Sequence, residues 1–143
     1  MRKQILIIDG QGGMLGKQLV ESTRKRIPGA EITAVGTNSI ATTNMLKAGA
    51  QNGATGENAV LVGAKRADVI VGPIGIVIAD SLFGEITPAM AKAVGESPVI
   101  KILLPVNKCN NIVIGAEGRS MSELIQEAMN KLEDCLLYTS RCV

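Results

Sequence analysis

Residues 4–16 constrain this chain more than any other stretch. Gln4-Ile5-Leu6-Ile7-Ile8-Asp9 is a short apolar run, Gly10-Gln11-Gly12-Gly13 follows as a turn, and Met14 opens a segment with helical periodicity reaching about Ile27. Strand, tight turn, helix is the predicted order. A turn this tight needs residues that tolerate positive φ, and an anion can approach the backbone only where side chains are missing. A helix starting there offers unpaired N–H groups and the positive end of its dipole. The loop therefore predicts a phosphate site built from Gly10, Gln11, Gly12, Gly13, Met14 and Gly16, with Lys17 as an added point charge. Asp9 stands immediately before the loop, where a carboxylate beside a phosphate is unfavourable unless something offsets it. Its expected role is to accept hydrogen bonds from loop N–H groups rather than to hold a metal.

The rest of the chain alternates in the same way. Strands are predicted at Glu31–Gly36, Asp68–Gly72, Val99–Pro105 and Asn111–Gly115, and helices at about Ile40–Ala48 and Thr87 to about Val94; Glu57–Lys65 is ambiguous, since Asn58–Val62 could be a strand, but Ala64, Lys65 and the strand that follows favour a short helix. Thr37 or Ser39 is the expected cap of the second helix. Thr87-Pro88 is a helix start with a capping hydroxyl and Pro at the first helical position. Asn52–Gly56 reads as a second glycine-rich loop, and Ile74–Phe83, apolar throughout apart from Asp80, as a buried helix. Ser120-Met121-Ser122-Glu123 reads as a capping box, followed by the apolar stripe Met121, Leu124, Ile125, Ala128, Met129 and Leu132. Strands alternating with helices imply parallel β-α-β units. The expectation is a single α/β domain, a three-layer sandwich around a mainly parallel sheet of about five strands.

Composition narrows the function. The 143 residues carry a net charge of +2, too little to argue for nucleic acid, and with one Phe, one Tyr and no Trp there is no aromatic surface on which bases could stack. No segment reaches the roughly 18 uninterrupted apolar residues of a membrane span, and no signal peptide is visible, so a cytoplasmic protein is expected. Cys135–Val143 resembles a translated sequencing adapter and is set aside, leaving 1–134 as the domain. That removes Tyr138, Cys135 and Cys142 from consideration, so no disulfide is expected. The remaining thiol, Cys109, has no His to activate it and is read as a small apolar residue. No metal site is expected, since soft ligands are lacking.

In open α/β sheets, ligands bind outside the carboxyl ends of the strands. Thr37, Asn38, Gly72, Pro73 and Gly75 stand at those ends and complete the candidate site. No Asp or Glu follows the second strand to take ribose hydroxyls. A 2′-phosphate could use Thr37, Asn38 and Ser39, although the usual Arg is absent. NADP or another nucleotide is the expected cofactor.

Gly10-Gln11-Gly12-Gly13-Met14-Leu15-Gly16 resembles the cofactor loop of extended short-chain dehydrogenase/reductases, but strict G-x-G-x-x-G spacing fails because position 15 is Leu. Catalysis in that family needs a Tyr and Lys at helical spacing, and the only Tyr lies in the tail. The resemblance therefore covers the cofactor half, about residues 4–80. A broader resemblance rests on Ile8 to Gly13, Gly36-Thr37-Asn38, Met45 to Ala50, Gly53 to Ala59, Asp68 to Ile76 and Gly84 to Met90. On these residues the chain resembles an uncharacterised bacterial family known as a domain of unknown function. The resemblance implies a stand-alone Rossmann-like protein and supplies no substrate.

Three functions follow from these residues. The first is a nucleotide- or dinucleotide-binding protein without complete catalytic machinery, taking a small phosphorylated ligand. The second is a small enzyme acting on a phosphorylated metabolite, with Asp9, Lys17 and Asp80 or Glu85 at the site. The third is an interaction module whose glycine loop only allows close packing. A homodimer is expected through Ile74–Phe83 or the Met121–Leu132 stripe, the alternative being that both segments simply cover the two faces of the sheet.

Overall fold

The structure is a computed structural model and describes residues 2–106 and 110–137. Five strands, β1 (Gln4–Asp9), β2 (Glu31–Gly36), β3 (Asn52–Thr55), β4 (Val69–Pro73) and β5 (Ile100–Leu104), form one all-parallel sheet in the order β3-β2-β1-β4-β5. Helices α1 (Met14–Arg26), α2 (Ser39–Lys47), α3 (Glu57–Arg66), α4 (Pro88–Glu96) and α5 (Met121–Leu137) connect and cover it. Alternate residues of the central strands enter opposite cores, as period-two side-chain geometry requires. Ile5, Ile7, Ile32, Ala34, Val69 and Val71 pack under α1, α2 and α5. Leu6, Ile8, Val35 and Ile70 pack under α3 and α4. The three-layer, Rossmann-like α/β architecture is thereby realised.

The sheet has five strands, but not the five expected. Asn52–Thr55 is the outer strand and not a loop. Its four residues are exposed and poor in β-formers, so nothing in their own composition marks them. Pairing with β2 creates the strand, and the Gln51 side chain continues the ladder by accepting from the Ile32 N–H at 2.8 Å. Conversely, Asn111–Gly115 is not a strand; Ile112 and Ile114 are 79% and 89% exposed. Three β-favouring residues, Ile112-Val113-Ile114, do not by composition alone make a strand.

Ile74–Phe83 is a second correction. Only Ile74–Val77 is helical, as one 3-10 turn. The chain then turns back, with Asp80, Leu82 and Phe83 in the left-handed region at φ 64°, 56° and 56°. The Ser81 hydroxyl donates to the Gly75 carbonyl and fixes the reversal. Ile76, Leu82 and Ile86 enter the core, while Phe83 projects 96% exposed.

The Ser120–Glu123 capping box forms, with each residue's side chain accepting from the other's N–H. Most of the stripe below it is spent within the subunit: Leu124, Ile125, Ala128, Met129 and Leu132 are buried against the sheet, and Met121 at its start stays exposed. α5 also runs three residues past the expected boundary at 134, and Leu136 is buried. Cys135 is disulfide-bonded, which corrects the expectation of none. Residues 138–143 and Cys109 lie outside the described residues.

Candidate functional site

The strand order places a topological switch point between β1 and β4. The chain leaves β1 toward β2 and β3, then returns across the sheet to β4, and in open α/β sheets ligands bind outside the strand ends at such a point. The glycine loop stands at this point. The Gly13 N–H donates to the Gly10 carbonyl at 2.9 Å and closes the turn. Gln11 and Gly13 both take positive φ, 51° and 72°. α1 starts on Gly13 without a side-chain cap. Among the described residues, nothing accepts from the N–H groups of Gly12, Met14 or Leu15.

Asp9 is inside this loop. It is 2% exposed, and its two carboxylate oxygens accept from the Gly10 N–H at 2.8 Å and the Gly16 N–H at 2.7 Å. The second bond satisfies one of the orphan donors of α1. Burial pushes the Asp9 carboxyl above its ordinary pKa, the two N–H donors pull against that, and the negative charge of Glu85 adds to the rise. A carboxylate so enclosed braces the loop and has no free face for a ligand.

α2 braces the loop from the other side. Asn38, and neither Thr37 nor Ser39, caps α2, its side-chain oxygen accepting from the Ala41 N–H at 2.9 Å. Its side-chain amide donates to the Gln11 carbonyl at 2.9 Å, and Asn44 donates to the Gly12 carbonyl at 2.7 Å. Asn44 was not legible as a site residue, because a mid-helix Asn carries no motif.

The side chain that draws the site together is Glu85, on the turn before α4. Its Oε1 accepts from the Gln11 N–H at 2.7 Å, the Asn38 amide at 3.2 Å and the Thr37 hydroxyl. Burial alone would raise its pKa; the three donors outweigh burial and hold it below the ordinary carboxylate value. Of the residues singled out from sequence, Asp9, Gly10, Gln11, Thr37 and Asn38 thus meet around one carboxylate. Gly12 and Met14 lie exposed at its rim, and Lys17, half-buried in the first turn of α1, makes no ion pair among the described residues.

Other glycines have packing roles. A Cβ on Gly16 would lie 2.5 Å from the Met45 sulfur, one on Gly13 would lie 2.7 Å from the Ala41 Cα, and one on Gly72 would lie 2.5 Å from the Ile8 carbonyl oxygen. Gly72, Pro73 and Gly75 are buried at the end of β4 beside the Ser81 turn. A Cβ on Gly12 meets only the Met14 side chain, at 3.9 Å. Two cavities lie away from this loop. One of about 440 Å³ opens between α3 and the β2–β3 face, and one of about 560 Å³ lies between α3 and α4. No helix among the described residues is long and apolar enough to cross a membrane.

Among solved structures, the chain is similar to a dodecameric FMN-dependent UbiX-like decarboxylase from Escherichia coli O157:H7. The identity is 15% over 92% of this chain and 93% of that one, with a TM-score of 0.44. It is also similar to a phenylacrylic acid decarboxylase from Aquifex aeolicus, at 13% identity over 99% of both chains and a TM-score of 0.42. No curated protein matches the chain. The match that covers nearly all of it runs from residue 4 to residue 137, and by it the chain belongs to the family described as Domain of unknown function (DUF3842).

Proposed function

We propose that the protein binds a nucleotide or dinucleotide, with a phosphate of the ligand seated on the Gly10–Gly13 loop and the start of α1. The observation that carries this reading is the open N-terminus of α1 at the switch point. Gly13 supplies no cap, and the Gly12, Met14 and Leu15 N–H groups have no acceptor among the described residues. Helix N-termini left in this state are anion sites, since orphan donors and the helix dipole act together. Lys17 adds a cation one turn along. The role assigned to Gly12, Met14 and Lys17 is contact with the ligand, while Gly10, Gln11 and Gly13, whose N–H groups are bonded to Asp9, Glu85 and Gly10, hold the turn. Asp9 and Gly16 shape the loop, and Gly72, Pro73 and Gly75 form the far wall.

The packing-only alternative is favoured by Gly13, Gly16 and Gly72, whose missing Cβ atoms are explained by their neighbours. It does not account for Gly12, which has room for a side chain and lies exposed at the rim. That residue supplies the experiment. Purified protein is titrated with inorganic phosphate, ADP, NAD and FMN and followed by thermal shift. A ligand at a hundred times its Kd adds about 2.7 kcal/mol of stability. Gly12→Val should keep the fold and lose that shift. No shift with any probe, or unchanged affinity in a folded Gly12→Val, overturns the reading.

Self-association is a separate proposal. Of the two segments expected to pair subunits, Phe83 at 96% and Met121 at 37% exposure are the large apolar residues left outside. Sedimentation at micromolar concentration reads it directly, and a monomer with no concentration dependence removes it.

A further inference from the structure

Nucleotide sites in doubly wound folds commonly read the adenosine ribose with an acidic residue just after the second strand. Here β2 ends in Gly36-Thr37-Asn38, with no acid in sequence. The tertiary structure delivers one to the same place from a different element. Glu85 lies 48 residues beyond Thr37 and 47 beyond Asn38, yet its carboxylate bonds to both and to the Gln11 N–H of the glycine loop. All three donors converge on Oε1. Among the described residues, none donates to Oε2, so that oxygen keeps its acceptor capacity.

We propose that Glu85 is the specificity residue of the nucleotide site: its Oε2 accepts from a ribose hydroxyl of the bound nucleotide, and its charge excludes a ligand phosphorylated at that hydroxyl. This rests on the reading of the glycine loop as the phosphate site. Two chemical facts carry it. An ionised carboxylate is acceptor-only, so it rewards an O–H donor and repels a phosphate. Oε1 is held at the junction of the loop and the end of β2, so the carboxylate cannot swing away from an incoming phosphate without giving up three hydrogen bonds. The sequence expectation of NADP is thereby turned toward the nucleotide with a free 2′-hydroxyl. Thr37 and Asn38, which would have served a 2′-phosphate, already donate to Glu85.

The test uses NAD and NADP, which differ only in the 2′-phosphate, and ADP with 2′-deoxy-ADP, which differ only in the hydroxyl. Each is titrated calorimetrically into wild type and Glu85→Gln. Wild type should bind NAD over NADP, and ADP over 2′-deoxy-ADP, each by at least about tenfold. Glu85→Gln keeps shape and an acceptor but removes the charge. It should bring NAD and NADP within about threefold of each other, mainly by strengthening NADP. Should that variant fail to fold, the two wild-type ratios alone decide. Equal binding of NAD and NADP by wild type, or of ADP and 2′-deoxy-ADP, overturns the role of Glu85 while leaving the phosphate site standing. Failure of all four nucleotides also overturns it. The site reading then survives only if phosphate or FMN still binds in a manner that Gly12→Val abolishes.

Discussion

Replacing Gly13 by Ala should cost this protein a large part of its stability, although the change adds one methyl group in a loop. Two costs act at once. The residue stands at φ 72°, and placing an L side chain in the left-handed region costs about 1–2 kcal/mol. The new Cβ would also lie 2.7 Å from the Ala41 Cα and 3.0 Å from the Ala41 carbonyl oxygen. These are backbone atoms of the first turn of α2, so relief requires moving a helix and not a side-chain tip, at about 1–3 kcal/mol. Together the loss is about 2–5 kcal/mol. At about 4 °C per kcal/mol for a domain of this size, the melting temperature should fall by roughly 8–20 °C. Gly12→Ala is the control. Its φ lies outside the left-handed region and its Cβ has space, so it should stay within about 0.5 kcal/mol of wild type. Urea denaturation of the three proteins reads the difference. A Gly13→Ala within 1 kcal/mol of Gly12→Ala would refute the argument that the loop is locked against α2. From sequence alone, Gly13 is the natural residue to block in a ligand test, with the fold expected to survive; the structure moves that test to Gly12.

Three further outcomes are expected. Asp9→Asn should destabilise the protein by about 1–3 kcal/mol near neutral pH, because an amide facing two N–H donors leaves one of them poorly satisfied. Burial raises the folded-state pKa of Asp9 above its unfolded value. Its contribution is therefore full below the unfolded pKa and declines as pH rises through the folded one, so urea midpoints measured across that range should lose this slope in the variant. Asn38→Ala removes the α2 cap and the amide bonds to Gln11 and Glu85, and a loss of about 1–2 kcal/mol should appear in thermal melts. Leu136→Ala empties a side chain that is 7% exposed and packed in the core, and should cost about 2–5 kcal/mol; an unchanged melting temperature would show that the end of α5 contributes nothing through this side chain.

The sequence by itself determined what depends on local chemistry. The short apolar run at Gln4–Asp9 and the segment Glu31–Gly36 became strands, the segments with helical periodicity became helices, and Thr87 and Ser120 capped the helices they were expected to start. The glycine loop was visible because its residues are contiguous and its backbone demands are local. Tertiary structure decided what depends on partners. Asn52–Thr55 is a strand only because β2 lies beside it, whereas 111–115, with its run of β-favouring side chains, lies outside the sheet. Ile74–Phe83 has the apolar content of a buried helix, but Ser81 closes onto Gly75 and turns the chain back. Most consequential is Glu85. Sequence reading could place it in a possible site with Asp9 and Lys17, but not on the Gln11 N–H or beside Thr37. That meeting joins residues up to 74 positions apart, and only the return of the chain across the sheet to β4 brings them together. A motif is legible when its atoms are neighbours in sequence; a carboxylate delivered by another loop becomes legible only once the chain has folded.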